Sequence, residues 1–492
     1  EDCQPRHQLV HGCPERVRGR SQQPEYGTAT ETCRRVSGAA QQGAAEKVKS
    51  ERQGKYMKTG NISDLNPLYY YEDGFLVSKN TDITALFEVE LPEVWTMTQG
   101  DYESQMNCWV RAMKALPDYT ILHKQDVFIE KVYHSKGKCE GYLAKGYAKH
   151  FEGRKYYDHR SFLYVTLSCK DNIRKESIFS YICSGKIVAK EMLDEKRQND
   201  FANALLEMKN ILEGGGIKVR QLSEDEVIGT PHEFGVIEKL MNLSYAGNST
   251  TLKECHTLND DTFMVGDDYV SCFAISDLRN MPNDVATHSW NPSFSSPEIG
   301  CYVNQSYVEG LCLLSKYEHI YNQIFFLDPQ DALKEKIKSQ GKLLRSMSGL
   351  DSDNRYNSEQ NELFLEQITQ TGDRICRSAF NVILWDKDYN SLIRKNAIVS
   401  EKFSKLDCTN TKVEKITEHI FMGCVPGCAN YYPAEMTMLG TTEQNACFIQ
   451  TDSNYKDWVN PETSYHINMC DRVNGVPVAI DLDEMPMEEN WI

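Results

Sequence analysis

His419, Cys424 and Cys428 stand at a spacing that could hold zinc, since thiolate sulfur and imidazole nitrogen are its usual ligands. A closed structural site takes four such ligands, and the nearest further cysteines, Cys408 and Cys447, lie well away in sequence. The triplet therefore reads as core residues, and no metal is expected. Cys255 and His256 are sequence neighbours, but a nucleophile and its base must meet through the fold, with a third group orienting the base. They read as two buried or partly buried residues. The carboxylate pairs Asp260–Asp261 and Asp267–Asp268 suit acid–base chemistry in type, yet in an acidic chain they read as solvated turns. No catalytic or cofactor-binding residue is assigned. A hydrolase would require a nucleophile and base within about 3 Å of each other in a pocket.

Phosphate chemistry is missing in a more telling way. A phosphate-cradling loop needs G-x-x-x-x-G-K-[ST], whose backbone amides wrap the phosphates while Lys and Ser/Thr engage phosphate and Mg²⁺. No segment fits. Gly341-Lys342 lacks the partner glycine and the hydroxyl, and Gly214-Gly215-Gly216 reads as a helix stop before a strand.

The elements that would position any site follow from pattern. Asp101 to Leu116 places Tyr102, Met106, Trp109, Val110, Met113 and Leu116 on one helical face, and Pro117 ends it. Phe75 to Val89 reads as two strands around the turn Lys79–Asp82, and Thr120 to Tyr133 as a third. Phe162 to Leu167 is a further strand. Phe201 to Leu212 is a helix behind the cap candidates Asn199 and Asp200, and Phe234 to Leu243 is another. In the second half, Ile320–Leu327, Phe380–Trp385 and Lys412–Ile416 are expected strands. Helices are expected from Asp331, from Ser358 to Cys376 and from Tyr389 to Leu406, with Asp351–Glu359 a flexible connection. Tyr465 to Asp483 is a hairpin around Asn474-Gly475, with Pro477 at a sheet edge or strand start.

The chain has 492 residues, 25% of them charged and 40% hydrophobic, as in a globular protein of two or three domains. Its net charge of −17 disfavours broad attachment to nucleic acid, which runs on clustered Lys and Arg. Seventeen scattered cysteines are too dilute for a disulfide scaffold, and read as small core residues in a reducing compartment. No stretch approaches the ~20 apolar residues of a membrane span. The expected place is the cytoplasm, with any membrane association peripheral.

Residues 1–56 carry ten Lys/Arg against seven Asp/Glu and almost no apolar periodicity, so a disordered arm, or a mis-assigned start ahead of Met57, is expected. The fold class is α+β: two mixed α/β subdomains, 57–245 and 246–473, with helices packed on small, mainly antiparallel sheets. Residues 474–492 form a returning hairpin.

Four segments carry a pattern. "HIFMGCVPGCANYYP" (419–433) resembles the G-x-P-G-x-A-x-x-x-P loop of the TraG-family conjugation ATPases of Bacteroidetes conjugative transposons, relatives of the VirB-type motor of type IV secretion. Its matching positions are Gly423, Pro426, Gly427, Ala429 and Pro433. "DGFLVSKNTDITALFEVELPEVW" with "HKQDVFIEKVY" resembles the family's opening. "HIYNQIFFLD" and "AFNVILWD" resemble its centre, and "EQNACFIQTDSNY" and "DRVNGVPVAIDLDEMPM" its end. Cys428 departs from the Asn more usual there. The resemblance covers most of 57–492 and implies a module that docks a motor to the inner-membrane secretion apparatus and assembles with itself, as a hexamer in the complete protein. It implies a P-loop motor beyond Ile492, so ATP and Mg²⁺ belong to the complete protein and not to these residues. Its partners would be inner-membrane and cytoplasmic components of the conjugation apparatus. A stand-alone acidic adaptor of that apparatus is the alternative. Pro426-Gly427 reads as a tight turn, shaping the domain's end or touching the motor.

Overall fold

A computed structural model describes residues 58–60, 68–134, 142–169, 192, 194–245, 253–258, 262–275, 281–282, 285–296, 299–313, 315–347, 349, 352–413, 415–457, 467–471 and 474–480. The expected N-terminal arm lies outside these, as do the "DLDEMPM" end of the last segment and Asp260–Asp261.

Strands follow the alternation of the sequence. They are β1 (Lys58–Gly60), β2 (Leu68–Glu72), β3 (Phe75–Ser78), β4 (Ile83–Glu90), β5 (Thr120–Val132), β6 (Lys155–Leu167), β7 (Lys218–Gln221), β8 (Cys255–Leu258) and β9 (Thr262–Val265). After these come β10 (Asp268–Ile275), β11 (His288–Ser296), β12 (Ile299–Asn304), β13 (His319–Leu327), β14 (Ile375–Asp386), β15 (Thr411–Val413), β16 (Met438–Thr441), β17 (Ile467–Cys470) and β18 (Pro477–Ile480). The helices are α1 (Gln99–Ala115), α2 (Tyr142–Phe151), α3 (Glu195–Gly214), α4 (Glu224–Ile228), α5 (Val236–Met241), α6 (Gln330–Ser346), α7 (Ser352–Thr371), α8 (Tyr389–Lys405), α9 (Thr417–Gly423) and α10 (Thr442–Ala446).

The mixed α/β class and antiparallel pairing are as expected, but the sheets are not two small ones. Among the described residues, fourteen strands form one sheet in the order β1-β8-β9-β10-β14-β13-β5-β6-β4-β3-β2, with β15, β16 and β7 alongside. The join is the long register of β5 on β13, from Thr120↔Leu327 to Phe128↔His319. Residues on both sides of position 245 thus share one hydrogen-bonded layer, because β13, buried along its whole length, and β5, buried over its first ten residues, find each other rather than solvent. β1 reinforces this by pairing with β8 at the far edge.

Both faces are covered. On one, Leu122, Phe128, Tyr321, Phe325, Phe380 and Leu384 pack under α1, α3, α8 and α10. On the other, Ile121, Val127, Ile320, Ile324 and Ile383 pack under α4, α5 and α9. Odd and even residues of β5 fall on opposite faces, the period of two that a pleated strand imposes. Each fully buried Leu or Phe stabilises this layer by about 1.5–3 kcal/mol.

Several boundaries moved. α3 begins four residues ahead of the expected helix's first caps, behind Asp194, whose side chain accepts from the Lys196 amide. α7 starts at Ser352 because it leans on α6, with Ser358 Oγ donating to Gly341 O at 3.0 Å, so residues 352–359 of the expected flexible connection are helical. Ile375 and Cys376, expected to end that helix, open β14 instead. The hairpin around Gly475 (φ +74°) forms as β17–β18, and Pro477 is the first residue of its strand.

Candidate functional site: a buried polar centre on both faces of the sheet

The run His123-Lys124-Gln125-Asp126 interrupts an apolar strand, and alternation sends its members to opposite faces. On the α1 face, Lys124 and Asp126 form an ion pair at 2.5 Å with both side chains fully buried. Asp126 also accepts from Gln323 Nε2 at 2.7 Å, and its other oxygen lies 3.0 Å from His159 Nε2. Burial by itself raises a carboxyl, but Lys124 and His159 outweigh it and hold Asp126 well below the carboxylate range. Burial pulls the Lys124 ammonium down, against the attraction of Asp126. Asp126 is therefore the fixed anion of the centre.

The network continues through the "FIQTDSNY" segment. The Gln450 amide donates to Gln323 Oε1 at 3.1 Å, and Gln450 Nε2 donates to Glu309 Oε2 at 2.7 Å and to the Asp452 carbonyl at 3.0 Å. Asp452 accepts from Tyr102 OH at 2.8 Å and from the Ser306 amide at 2.7 Å. Burial, then the neighbouring Asp452 charge, pushes the Glu309 carboxyl far up. Burial pushes Asp452 up to about 7, against the two hydrogen bonds that favour its anion. Two carboxyls in one dry pocket do not both ionise, so the centre holds a proton at neutral pH.

On the α9 face the odd-numbered members of the run, His123 and Gln125, do the same work with neutral groups. Gln125 Nε2 donates to Asn322 Oδ1 at 2.7 Å and to the Cys424 carbonyl at 3.0 Å, and Asn322 Nδ2 donates to Asn381 Oδ1 at 2.9 Å. This ties the 419–433 segment to the sheet. Residues 421–430 are buried without exception, Pro426 among them, and Pro433 is buried as well. Gly427 has φ +80°, and a Cβ there would stand 2.7 Å from Leu76 Cδ2. A Cβ on Gly423 would meet the Tyr432 backbone at 2.8 Å. Ala429 opens a short 3₁₀ turn, and Asn430 Nδ2 donates to Asp82 Oδ2 at 3.0 Å. The five motif positions thus form a buried plug, shaped by close backbone approach.

Other candidates settle differently. Cys424 Sγ lies 3.4 Å from Asn381 Nδ2 and its thiol is pushed up to about 12 by burial, while Cys428 is likewise raised by burial. Protonated thiols are poor ligands. Among the described residues no group of three or more His, Cys, Asp and Glu is placed to hold a metal ion. Cys255 is buried on β8, and the His256 side chain lies outside the described residues. Asp267 is an exposed turn residue as expected. Asp268 is not: it is buried and pairs with Lys253 Nζ at 2.6 Å, because β10 carries it into the sheet. Gly214 to Gly216 end α3, with Gly216 at φ +82°. Gly341-Lys342 lies inside α6 against Asn361. Neither presents the fan of backbone amides that a triphosphate with Mg²⁺ requires.

One arrangement escaped the sequence reading. Half-buried Ser453 has its Oγ 3.1 Å from His159 Nδ1, and His159 Nε2 reaches Asp126, a serine–imidazole–carboxylate chain. In a hydrolase the carboxylate stabilises the imidazolium formed when serine gives up its proton. Here Lys124 already neutralises that carboxylate. His159 is moreover clamped in a stack of three rings, His159–Phe128–His319, at centroid distances of 4.5 and 4.4 Å. The chain of contacts orders the sheet and lacks the free charge that nucleophile activation uses. The signal that could have revealed it was four consecutive polar residues, His123 to Asp126, set between the apolar stretches Ile121–Leu122 and Val127–Ile129.

The fold and its centre define a mixed α/β scaffold with a polar network buried on each face of its sheet. A family model described as a domain of unknown function, B. theta gene description (DUF3875), matches residues 55–106, the stretch from β1 into α1. That match fits a protein of the Bacteroidetes. No curated protein matches the chain. Among the described residues no helix is long and apolar enough to cross a membrane.

Proposed function

We propose that this chain is the docking and assembly module of a VirB-type conjugation ATPase of the TraG family, working beside a motor that supplies the nucleotide site. The observation that carries the reading is where the resembling segments meet. "HKQDVFIEKVY", "HIYNQIFFLD", "AFNVILWD" and "EQNACFIQTDSNY", apart in sequence, meet in two hydrogen-bonded networks, Lys124, Asp126, Gln323, Gln450 and Asp452 on one face of the sheet and Gln125, Asn322 and Asn381 on the other. Motifs that share a core are expected to be inherited together, whereas chance likenesses scatter over the surface. Polar groups committed to the interior also suit a rigid scaffold better than a catalyst. The module acts at the cytoplasmic side of the inner membrane, without gripping nucleic acid. A stand-alone adaptor is the second reading, favoured by the acidic net charge alone.

The test removes the coding region for 57–492 from a conjugative element that carries it and measures transfer to a recipient, while the purified chain is assayed for ATP hydrolysis. Transfer should be lost and the chain should not hydrolyse ATP. Undiminished transfer overturns the conjugation reading, and hydrolysis by the chain overturns the docking role.

A further inference from the structure

The β11–β12 hairpin pairs with no other strand among the described residues and forms a two-stranded sheet of its own. Its base closes where the Gln305 amide donates to Thr287 O at 2.9 Å. Three side-chain contacts join this root to α1 and the residues just before it, and all are long. Asn304 Nδ2 meets Met97 O, Trp95 Nε1 meets Gln305 Oε1 and Tyr102 OH meets Asn304 O, each at 3.5 Å. Hydrogen bonds of that length are weak. The short tie is the next amide along, Ser306 N, which donates to Asp452 Oδ2 at 2.7 Å. Ser306 Oγ adds a bond to Ile449 O at 3.3 Å. The fully buried Asp452 thus makes the shortest link between the hairpin root and the body of the molecule.

The state of this carboxyl decides what Tyr102 can do. The Tyr102 hydroxyl has one hydrogen and two acceptors in reach, Asp452 Oδ1 at 2.8 Å and Asn304 O at 3.5 Å. When Asp452 is ionised, that hydrogen goes to the carboxylate. When Asp452 is protonated on Oδ1, the acid donates to the tyrosine oxygen, and the tyrosine hydrogen turns to Asn304 O, on the last residue of β12. Protonation thus adds a bond to the hairpin, while Asp452 Oδ2 goes on accepting from Ser306. Glu309, in the short 3₁₀ turn that follows, does not take over this part. Its Oε1 is buried with no hydrogen-bond donor among the described residues, a position that a neutral acid tolerates and a carboxylate does not. Burial brings the ionisation of Asp452 up to about 7, where the two states exchange near neutral pH. The titratable groups on the elements around it are Asp101 and Tyr102 of α1, Glu309 and Cys312 after β12, Lys124 and Asp126 of β5, His159 of β6 and Asp471 after β17. Lys402 of α8 reaches Glu309.

We propose that Asp452 is a proton-operated latch on the β11–β12 hairpin, holding its root to α1 when protonated and releasing it when ionised. Once the root is released, Asp452 meets water and ionises as an ordinary carboxylate, near pH 4. Rising pH therefore favours release, by up to about tenfold per pH unit between the open and closed values, and no further above the closed one. The latch is independent of the docking role, and either can fail while the other survives.

Hydrogen exchange of the full chain tests it, read by mass spectrometry on peptides covering 299–308 and on peptides from β13 and β14. After correction for the chemical exchange rate, exchange at the hairpin root should quicken roughly five- to tenfold from pH 5.5 to 6.5, while β13 and β14 stay protected. Asp452→Asn keeps a group that accepts from Ser306 and donates to Tyr102, and should hold the root at its low-pH protection throughout. That variant also separates Asp452 from His159 and the other titratable neighbours. Circular dichroism shows whether it folds, and if it does not, the contrast between the root and β13–β14 in the wild type decides alone. Corrected exchange at the root that stays flat with pH overturns the latch. So does an equal quickening in folded Asp452→Asn, or in β13 and β14 of the wild type.

Discussion

The centre of the sheet and the α6–α7 hairpin invert each other. At the centre, Lys124, Asp126, Glu309 and Asp452 are charged or ionisable residues with no solvent, each held by named partners. On the hairpin, Leu343, Met347, Tyr356 and Leu363 are apolar residues left in solvent. Neither is the arrangement that favours an isolated soluble fold. A buried ion pair rarely adds net stability over an apolar pair, because desolvation cancels most of the attraction. What it adds is position: of all registers of β5 against β6 and β13, the observed one sets Lys124, Gln323 and His159 around Asp126. The centre therefore fixes one internal arrangement, and the distal hairpin contributes little apolar burial to it. The difference separates residues that specify the fold from residues that the fold leaves at its surface.

The largest effect should come from breaking the centre. Lys124→Met leaves Asp126 buried without its counter-charge, and should destabilise the fold by about 3–5 kcal/mol, measured by urea unfolding. A loss below 1 kcal/mol would mean that the pair is hydrated and that the contrast with the hairpin is weaker than drawn.

A smaller effect should come from acidity. A carboxyl whose folded pKa is raised stabilises the fold fully below its unfolded value, near 4, and loses that contribution as pH rises through its folded value. For Asp452 the window runs from about pH 4 to about 7. Unfolding free energy measured from pH 5 to 7 should therefore fall with rising pH through this group, and Asp452→Asn should flatten the slope. Asp126, depressed instead, acts with the opposite sign only at lower pH and does not obscure this window. An unaltered slope in Asp452→Asn would show that this carboxyl ionises normally.

The smallest effect on stability belongs to the hairpin. Leu343→Ala should change the unfolding free energy by no more than about 0.5 kcal/mol, as for most exposed positions, measured by urea unfolding. A larger loss would show that the distal hairpin packs on its own chain, and would erase the comparison.

Much of the local structure was legible. β3, β4, β5, α1 and α8 lie within a residue or two of their expected limits, since alternation, capping and Pro117 act over a few residues. Thr98 and Asp101 form a reciprocal cap at the start of α1, a device that short-range sequence carries whole. The stop at Gly214–Gly216 and the turn at Gly475 were legible for the same reason. The helical start at Ser352 was not, because it depends on leaning against α6.

The sequence by itself determined the longer regular elements such as α1, β5 and α8, their inward faces and the presence of polar residues within apolar strands. The tertiary structure alone decided that one sheet replaces two, that Asp268 is buried against Lys253, and that Tyr102 meets Asp452 across 350 residues of chain. The physical reason is range. Period and capping are set by neighbours within a turn or a pleat, whereas strand order is a sum over many distant pairings. Only when β5 lies between β6 and β13 do the odd polar residues of the sequence become partners.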